Sequence, residues 1–296
     1  MSEQIVYLNG ALVPLSEARV PVLDRGFIFG DGVYEVIPVY GRAPFRLHEH
    51  LARLQTSLDA IRLANPHGEA GWSRLIADLL DRQAGDDQSL YLQVTRGVAK
   101  RDHAFPKDTT PTVFMMSGPL VTPSLEEVEG GVAAVTATDF RWGRCDIKSI
   151  ALLGNVLLRQ VAVDAGAVET VLFRDGFLTE GAASNIFVAK HGVLLAPPKS
   201  HLMLPGITYD LVLELAAASG VPHAVREVSE RETLTADELW LTSSTKEVLA
   251  ITALNGRPVG SGKPGPLFRR MHALYQGAKA ACAAGAVQHG TAPEKG

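Results

Sequence analysis

Two short apolar runs, Ile5-Val6-Tyr7-Leu8 and Ala11-Leu12-Val13, flank Asn9-Gly10, and an Asn-Gly pair in that setting predicts a β-hairpin. After Gly30-Asp31-Gly32 a second β-rich stretch, Val33 to Val39, turns at Gly41 and returns through Pro44-Phe45-Arg46. Pro38 suits an edge position, since it cannot donate to a ladder. From His48 to Ala64, apolar residues at Leu51, Leu54, Leu58 and Ile61 keep a helical period, and a second helix is expected over Trp72 to Gln83. Leu90 to Thr95 and Thr112 to Met116 read as strands around a polar loop, Gly97 to Thr110. Helices on a mixed sheet follow from this order.

Gly118-Pro119-Leu120-Val121-Thr122-Pro123-Ser124 has the composition of a connection. The expected division is an N-terminal α/β domain over 1–118, a linker over 119–130, a C-terminal domain over 131–283 and a frayed tail over 284–296. In the second domain strands are expected near Val132–Thr136, Thr170–Phe173 and Leu239–Thr242. Helices are expected from Ser149, as N-cap, to about Ala165, and from Thr208 to Ala218. The fold class is α/β (α+β) in two domains.

Of 296 residues, 46% are hydrophobic and 20% charged, which excludes a disordered or fibrous chain. The formal net charge is −4 and the basic residues are scattered, so no stripe offers itself to nucleic acid. Cys145 and Cys282 lie far apart and form neither a disulfide framework nor a metal knuckle. Neither a signal peptide nor an apolar run of membrane-spanning length is recognisable, so a cytoplasmic protein is expected.

Among nine lysines Lys148 stands apart, flanked by apolar residues in Cys145-Asp146-Ile147-Lys148-Ser149-Ile150. Such a lysine either snorkels to water or sits in a pocket where desolvation makes its amine nucleophilic. Glu180 stands where a strand meets the small residues Gly181-Ala182-Ala183-Ser184; it is either a turn residue or a carboxylate brought close to a basic ring nitrogen. Gly206-Ile207-Thr208 and Thr242-Ser243-Ser244-Thr245 each look set to open a helix, as plain caps or as phosphate cradles. Arg101 and His103 are either isolated surface residues or a joint grip on a carboxylate. His48-Glu49-His50 points its imidazoles to different helix faces, and no metal is assigned.

Together these strings resemble the D-amino acid aminotransferases, of fold type IV of the pyridoxal-phosphate enzymes, over nearly the whole chain. The matching blocks run in order. They are Asp24 to Val36, Gln93-Val94-Thr95-Arg96-Gly97 with Arg101-Asp102-His103, Arg141-Trp142, Arg144 to Ser149, Thr179-Glu180-Gly181 with Ser184-Asn185, Gly206-Ile207-Thr208 and Thr242-Ser243. The resemblance implies a small N-terminal domain, a larger C-terminal domain with a barrel-like sheet, and pyridoxal 5'-phosphate in the cleft between them.

It implies Lys148 as the Schiff-base lysine and proton shuttle, with Glu180 at the pyridine nitrogen. Arg53 would hold the cofactor phosphate with Ile207 and Thr208 at one helix start and Ser243 and Ser244 at another. Leu204 would pack on the ring face, and Asn185 would support Glu180 or the ring edge. Tyr34 would trap the substrate α-carboxylate with Arg101 and His103 of a neighbouring subunit, so a homodimer is implied. The activity implied is ping-pong transfer of an amino group from a D-amino acid, typically D-alanine, to a 2-oxo acid, typically 2-oxoglutarate. Ala182-Ala183 departs from the hydroxyl residues common there in the family, which bears on cofactor affinity. Rival readings within the fold are an L-branched-chain aminotransferase, an aminodeoxychorismate lyase and an (R)-selective amine transaminase; outside it, a non-catalytic binding protein.

Overall fold

The computed structural model describes residues 3–285; most of the expected tail, 286–296, lies outside the described residues. The first half comprises β1 (Ile5–Leu8), β2 (Ala11–Pro14), α1 (Arg25–Phe29), β3 (Gly32–Tyr40), β4 (Ala43–Pro44), α2 (Leu47–Ala60), α3 (Glu69–Leu80), β5 (Gln88–Thr95) and β6 (Thr112–Pro119). The second comprises α4 (Leu125–Gly130), β7 (Val132–Thr138), α5 (Leu153–Asp164), β8 (Glu169–Arg174), β9 (Phe177–Gly181), β10 (Asn185–Lys190), β11 (Val193–Ala196), α6 (Ile207–Ala218), β12 (His223–Val225), α7 (Glu230–Leu234), β13 (Glu238–Ser243), β14 (Glu247–Leu254), β15 (Arg257–Pro258) and α8 (Pro266–Ala283).

The hairpin at Asn9-Gly10 forms with both residues at positive φ, 48° and 97°, pairing Leu8 with Ala11. The first sheet has the order β2-β1-β6-β5-β3-β4. It is antiparallel at every pairing, not mixed. The polar loop after β5 folds β6 straight back, and α2 and α3 return the chain from β3 to its antiparallel neighbour β5. Helices α2 and α3 cover one face with Leu51, Leu54, Leu58, Trp72, Ile76 and Leu79. A short helix, α1, escapes the periodicity because one turn is too brief to show it. Asp24 caps it by accepting from the Gly26 N–H, and Gly30 closes it at φ 66°.

The mixed sheet is the second one, ordered β12-β11-β10-β13-β14-β7-β8-β9, with β15 paired to β14. Its β11–β12, β14–β7 and β7–β8 pairs are parallel. Although four strands separate β9 from β10 in the sheet, the chain passes directly between them through Ala182–Ser184, so the sheet curls toward a barrel. Val171, Ile186, Leu195, Leu241 and Leu249 fill its interior. On the other side α6 and α8 pack on Phe187 and Trp240, α8 contributing Phe268, joined by Tyr40 and Phe45 from the first half.

Two helix starts are corrected. Ser149 is not an N-cap, and α5 begins only at Leu153. The preceding backbone is drawn into β pairing with β3 instead: Ser149 bridges Val33, Tyr34 N–H donates to Lys148 O at 3.0 Å, and Ile150 N–H donates to Gly32 O at 3.1 Å. Thr242 to Thr245 does not precede a helix either. It ends β13 and turns into β14, where β-branched Val248, Ile251 and Thr252 and the buried run Val248 to Ile251 favour pairing over a helix.

Candidate active site

One cavity of about 420 Å³ lies between the two sheets, lined by Tyr34 and Arg53 from the first half and by Lys148, Glu180 and Asn185 from the second. Its size is that of a small-molecule pocket. Lys148 enters on the segment stitched to β3, and its own N–H donates to Ser57 Oγ at 3.2 Å. Its Nζ lies 4.2 Å from the centre of the Tyr34 ring and makes no hydrogen bond or ion pair among the described residues. Burial, helped by the Arg53 charge, lowers its pKa to about 8 against the pull of Glu35 and Glu180.

Glu180, on β9, accepts from Arg141 Nη1 at 2.5 Å with one oxygen, and from Asn185 Nδ2 and the Leu204 N–H at 3.2 and 3.1 Å with the other. Burial nonetheless raises its pKa to about 7, outweighing the Arg141 charge. Arg141 is fixed in turn by both oxygens of Asp139, at 2.9 and 2.8 Å. Gly206 is required beside them, because a Cβ there would collide with Asn185 Oδ1.

Gly206 caps α6 without a side-chain bond, and the residues at the helix start, Gly206, Ile207 and Thr208, line the cavity. Leu204, Ser243 and Ser244 line it as well, the two serines from the β13–β14 turn rather than a helix start. Arg53 is already engaged, donating from Nε and Nη2 to Glu35 at 2.8 and 2.7 Å and from Nη1 to Pro205 O at 2.9 Å. The pair leaves Glu35 ionised: burial pushes its pKa up, but Arg53 and His50 pull it down to about 2.

Arg101 and His103 do not line this cavity. They sit on an exposed loop, against Phe29, with the His103 ring 5.4 Å from the Phe29 ring. Of the motif histidines, His50 bonds Glu35 and His48 bonds Glu69. Ala182 packs in a small apolar cluster with Leu158 and Leu172. The adjacent turn is held from behind by buried Glu169, which accepts from the Ala182 N–H and the Ser184 hydroxyl.

The sequence alone assigns no role to Arg141 or Glu35, and it reaches Thr242 only as the start of the hydroxyl run read as a cap or phosphate cradle. The Thr242 hydroxyl is buried in the cavity wall without a partner among the described residues. His50 and Arg53, three apart on one helix face, are the available signal for a buried acid such as Glu35.

Comparison with known proteins agrees with this geometry. The family described as amino-transferase class IV matches residues 32–254. The D-alanine aminotransferase of Bacillus licheniformis is 44% identical over 271 residues, covering 92% of this chain and 95% of its own. That of Staphylococcus aureus (strain COL) is 37% identical, covering 92% and 96%. Among solved structures, the T.th. branched-chain amino acid aminotransferase with pyridoxamine 5'-phosphate superposes with TM-score 0.88 at 26% identity, covering 94% of this chain and 95% of that one. The Escherichia coli branched-chain enzyme shares the fold at TM-score 0.88 and 24% identity, over 93% and 94% of the two chains. With a family match across most of its length and relatives well above 30% identity, the chain belongs to the class IV aminotransferases.

Proposed function

We propose that this protein moves an amino group between a D-amino acid, D-alanine foremost, and a 2-oxo acid such as 2-oxoglutarate, with pyridoxal 5'-phosphate as cofactor. The observation that carries the reading is a single cavity holding an unpaired lysine amine together with a buried carboxyl of raised pKa. The D-alanine aminotransferases at 37–44% identity support the substrate class.

The residues present fit the cofactor. The α6 N-terminus, two serine hydroxyls and Arg53 suit a phosphate, and the unpartnered Thr242 hydroxyl offers a further polar contact. Bound there, pyridoxal phosphate supplies an electrophilic carbon for the amine and a ring that takes up the electron pair released at Cα. Lys148 holds the cofactor and then moves the proton at Cα. With a pKa of about 8, roughly a tenth of the free amine is already unprotonated at pH 7. Glu180 would face the ring nitrogen and keep its proton in place, with Arg141 and Asn185 fixing the carboxylate's orientation. Leu204, in the cavity wall, would pack against the ring. Tyr34 helps hold the substrate carboxylate.

In this reading residues 1–118 and 131–283 are two units joined by 119–130, and the active form is a homodimer. The Arg101–His103 loop of one subunit completes the carboxylate clamp of the other. Leu153, Val156 and Leu157 of α5 support it, since they expose an apolar stripe beside the cavity, 72, 59 and 52% accessible. The cytoplasm is the compartment we assign. Both cysteines are free and buried, and no helix among the described residues is long and apolar enough to cross a membrane.

Incubation with 2-oxoglutarate and either D- or L-alanine tests the activity. Pyruvate should form from the D-form; formation from the L-form alone refutes it. Mixing Lys148→Ala subunits with Arg101→Ala subunits tests the dimer. Each is expected to be nearly inactive, and the mixture should recover about a quarter of wild-type activity, because half the dimers then carry one intact site. No recovery after subunit exchange refutes the shared clamp.

A further inference from the structure

Arg25 is buried to 3% accessibility, and none of its charge faces the cavity described above. Its Nε donates to Asp31 at 2.7 Å. Asp31 also accepts two bonds from Arg96, at 2.8 and 3.0 Å, so one carboxylate holds two guanidinium groups. The remaining reach of Arg25 goes to the loop. Nη1 donates to the carbonyls of Asp102 and Ala104, at 2.6 and 3.4 Å, the residues on either side of His103. The Phe29 ring, one turn along α1, packs under the same three groups. Arg25 lies 4.8 Å from its centre, and the Arg101 guanidinium and the His103 ring lie 5.4 Å away. Beyond them the Phe105 ring is covered by Arg96 at 3.8 Å and Arg62 at 4.8 Å.

The ends of the loop are pinned by the same cluster. The Arg25 N–H donates to Gly97 O at 2.9 Å, and the Thr112 hydroxyl donates to Asp24 at 2.6 Å. An exposed loop of this length has no apolar core of its own, so its shape comes from whatever charged and aromatic groups it is tied to.

We propose that the Arg25–Asp31–Arg96 cluster, with the Phe29 ring, is a positioning device that presets Arg101 and His103 for the substrate carboxylate. The inference rests on the carboxylate-clamp reading given above and deepens it. Arg25 touches the backbone around His103 rather than substrate, so it sets how well a carboxylate is bound and leaves the proton transfers at Lys148 untouched. Binding energy from a clamp depends on its geometry being prepared in advance, and loosening the support lowers affinity without altering the chemical step.

The experiment uses purified holoenzyme and the first half-reaction with D-alanine, followed by the absorbance of the bound cofactor under single-turnover conditions. Arg25→Lys keeps a charge but loses the fork that spans Asp31 and the two carbonyls. It is expected to raise the apparent Kd for D-alanine about tenfold, the size of one lost charge-assisted bond, with the saturating rate within about twofold of wild type. Phe29→Leu keeps the salt bridges and should raise the apparent Kd about threefold, with the starting cofactor spectrum unchanged. Arg101→Ala is the control for the underlying reading. If Arg101→Ala weakens D-alanine binding while both supporting variants bind it as wild type does, the positioning inference is overturned and the clamp stands. If Arg101→Ala leaves binding unchanged, the clamp itself fails. A fall in saturating rate or a shifted cofactor band in the supporting variants overturns the inference too, since a distorted fold would then account for the loss. Should Arg25→Lys not fold, Phe29→Leu decides the matter alone.

Discussion

Replacing Lys148 by methionine is expected to abolish turnover and to stabilise the cofactor-free protein. Burial holds the pKa of this amine at about 8, against an ordinary value of 10.5. Between those pH values the unfolded chain binds more protons at the site than the folded one, so stability increases as pH rises through that window. Below about pH 8 both states are protonated and the folded state carries the whole penalty. The gap of about 2.5 pH units, at about 1.4 kcal/mol each, makes that penalty about 3 kcal/mol. Methionine has a similar length and no charge, and therefore removes it. With an unfolding entropy of about 2 cal/mol/K per residue, a chain of this size gains about 5 °C in Tm. Thermal melts followed by circular dichroism on cofactor-stripped protein supply the check. Lys148→Met should melt about 5 °C above wild type at pH 7, and the difference should shrink as pH climbs from about 8 to about 10. Equal melting at pH 7, or a difference independent of pH, refutes the claim that this amine is held desolvated.

Arg53→Ala leaves Glu35 buried with the His50 hydrogen bond in place of a cation, and should cost about 3–5 kcal/mol in urea unfolding; a cost below about 1 kcal/mol would contradict the buried pair. Glu180→Gln keeps the shape but not the charge at the ring nitrogen, and kcat should fall by about 10²–10³ while the cofactor remains bound. Unchanged kcat would remove Glu180 from the reaction. Gly206→Ala drives a methyl group into Asn185 Oδ1, displacing it from Glu180, and should weaken cofactor binding about tenfold in a fluorescence titration of the stripped protein. Wild-type affinity in that variant would show that the close approach is dispensable.

Elements long enough to show a period are legible from the chain: α2 and α3 carry their apolar stripes, and the Asn9-Gly10 hairpin its turn chemistry. Local rules fail where distant backbone intervenes. Ser149 has the side chain of a cap, yet its neighbours pair with Gly32 and Tyr34, more than a hundred positions earlier. The hydroxyl run at Thr242 to Thr245 has the look of a helix start, but Val248 to Thr252 needs a partner strand more than a coil. In the site, Lys148 and Glu180 stand in distinctive strings, whereas Arg141 and Glu35 take their meaning from partners 39 and 18 residues away. No spacing rule reaches across such separations. Charge and aromatic contacts beneath the Arg101–His103 loop are hidden for the same reason.

The stitch between residues 32–34 and 148–150 bears on recombination between relatives. A chimera cut between β6 and α4 looks neutral, because the break falls outside both sheets, yet it inherits its β3 from one parent and the backbone of its lysine from the other. Grafts should therefore succeed or fail on whether those two short segments mate, and shuffling libraries for altered selectivity would do well to carry them as a single cassette.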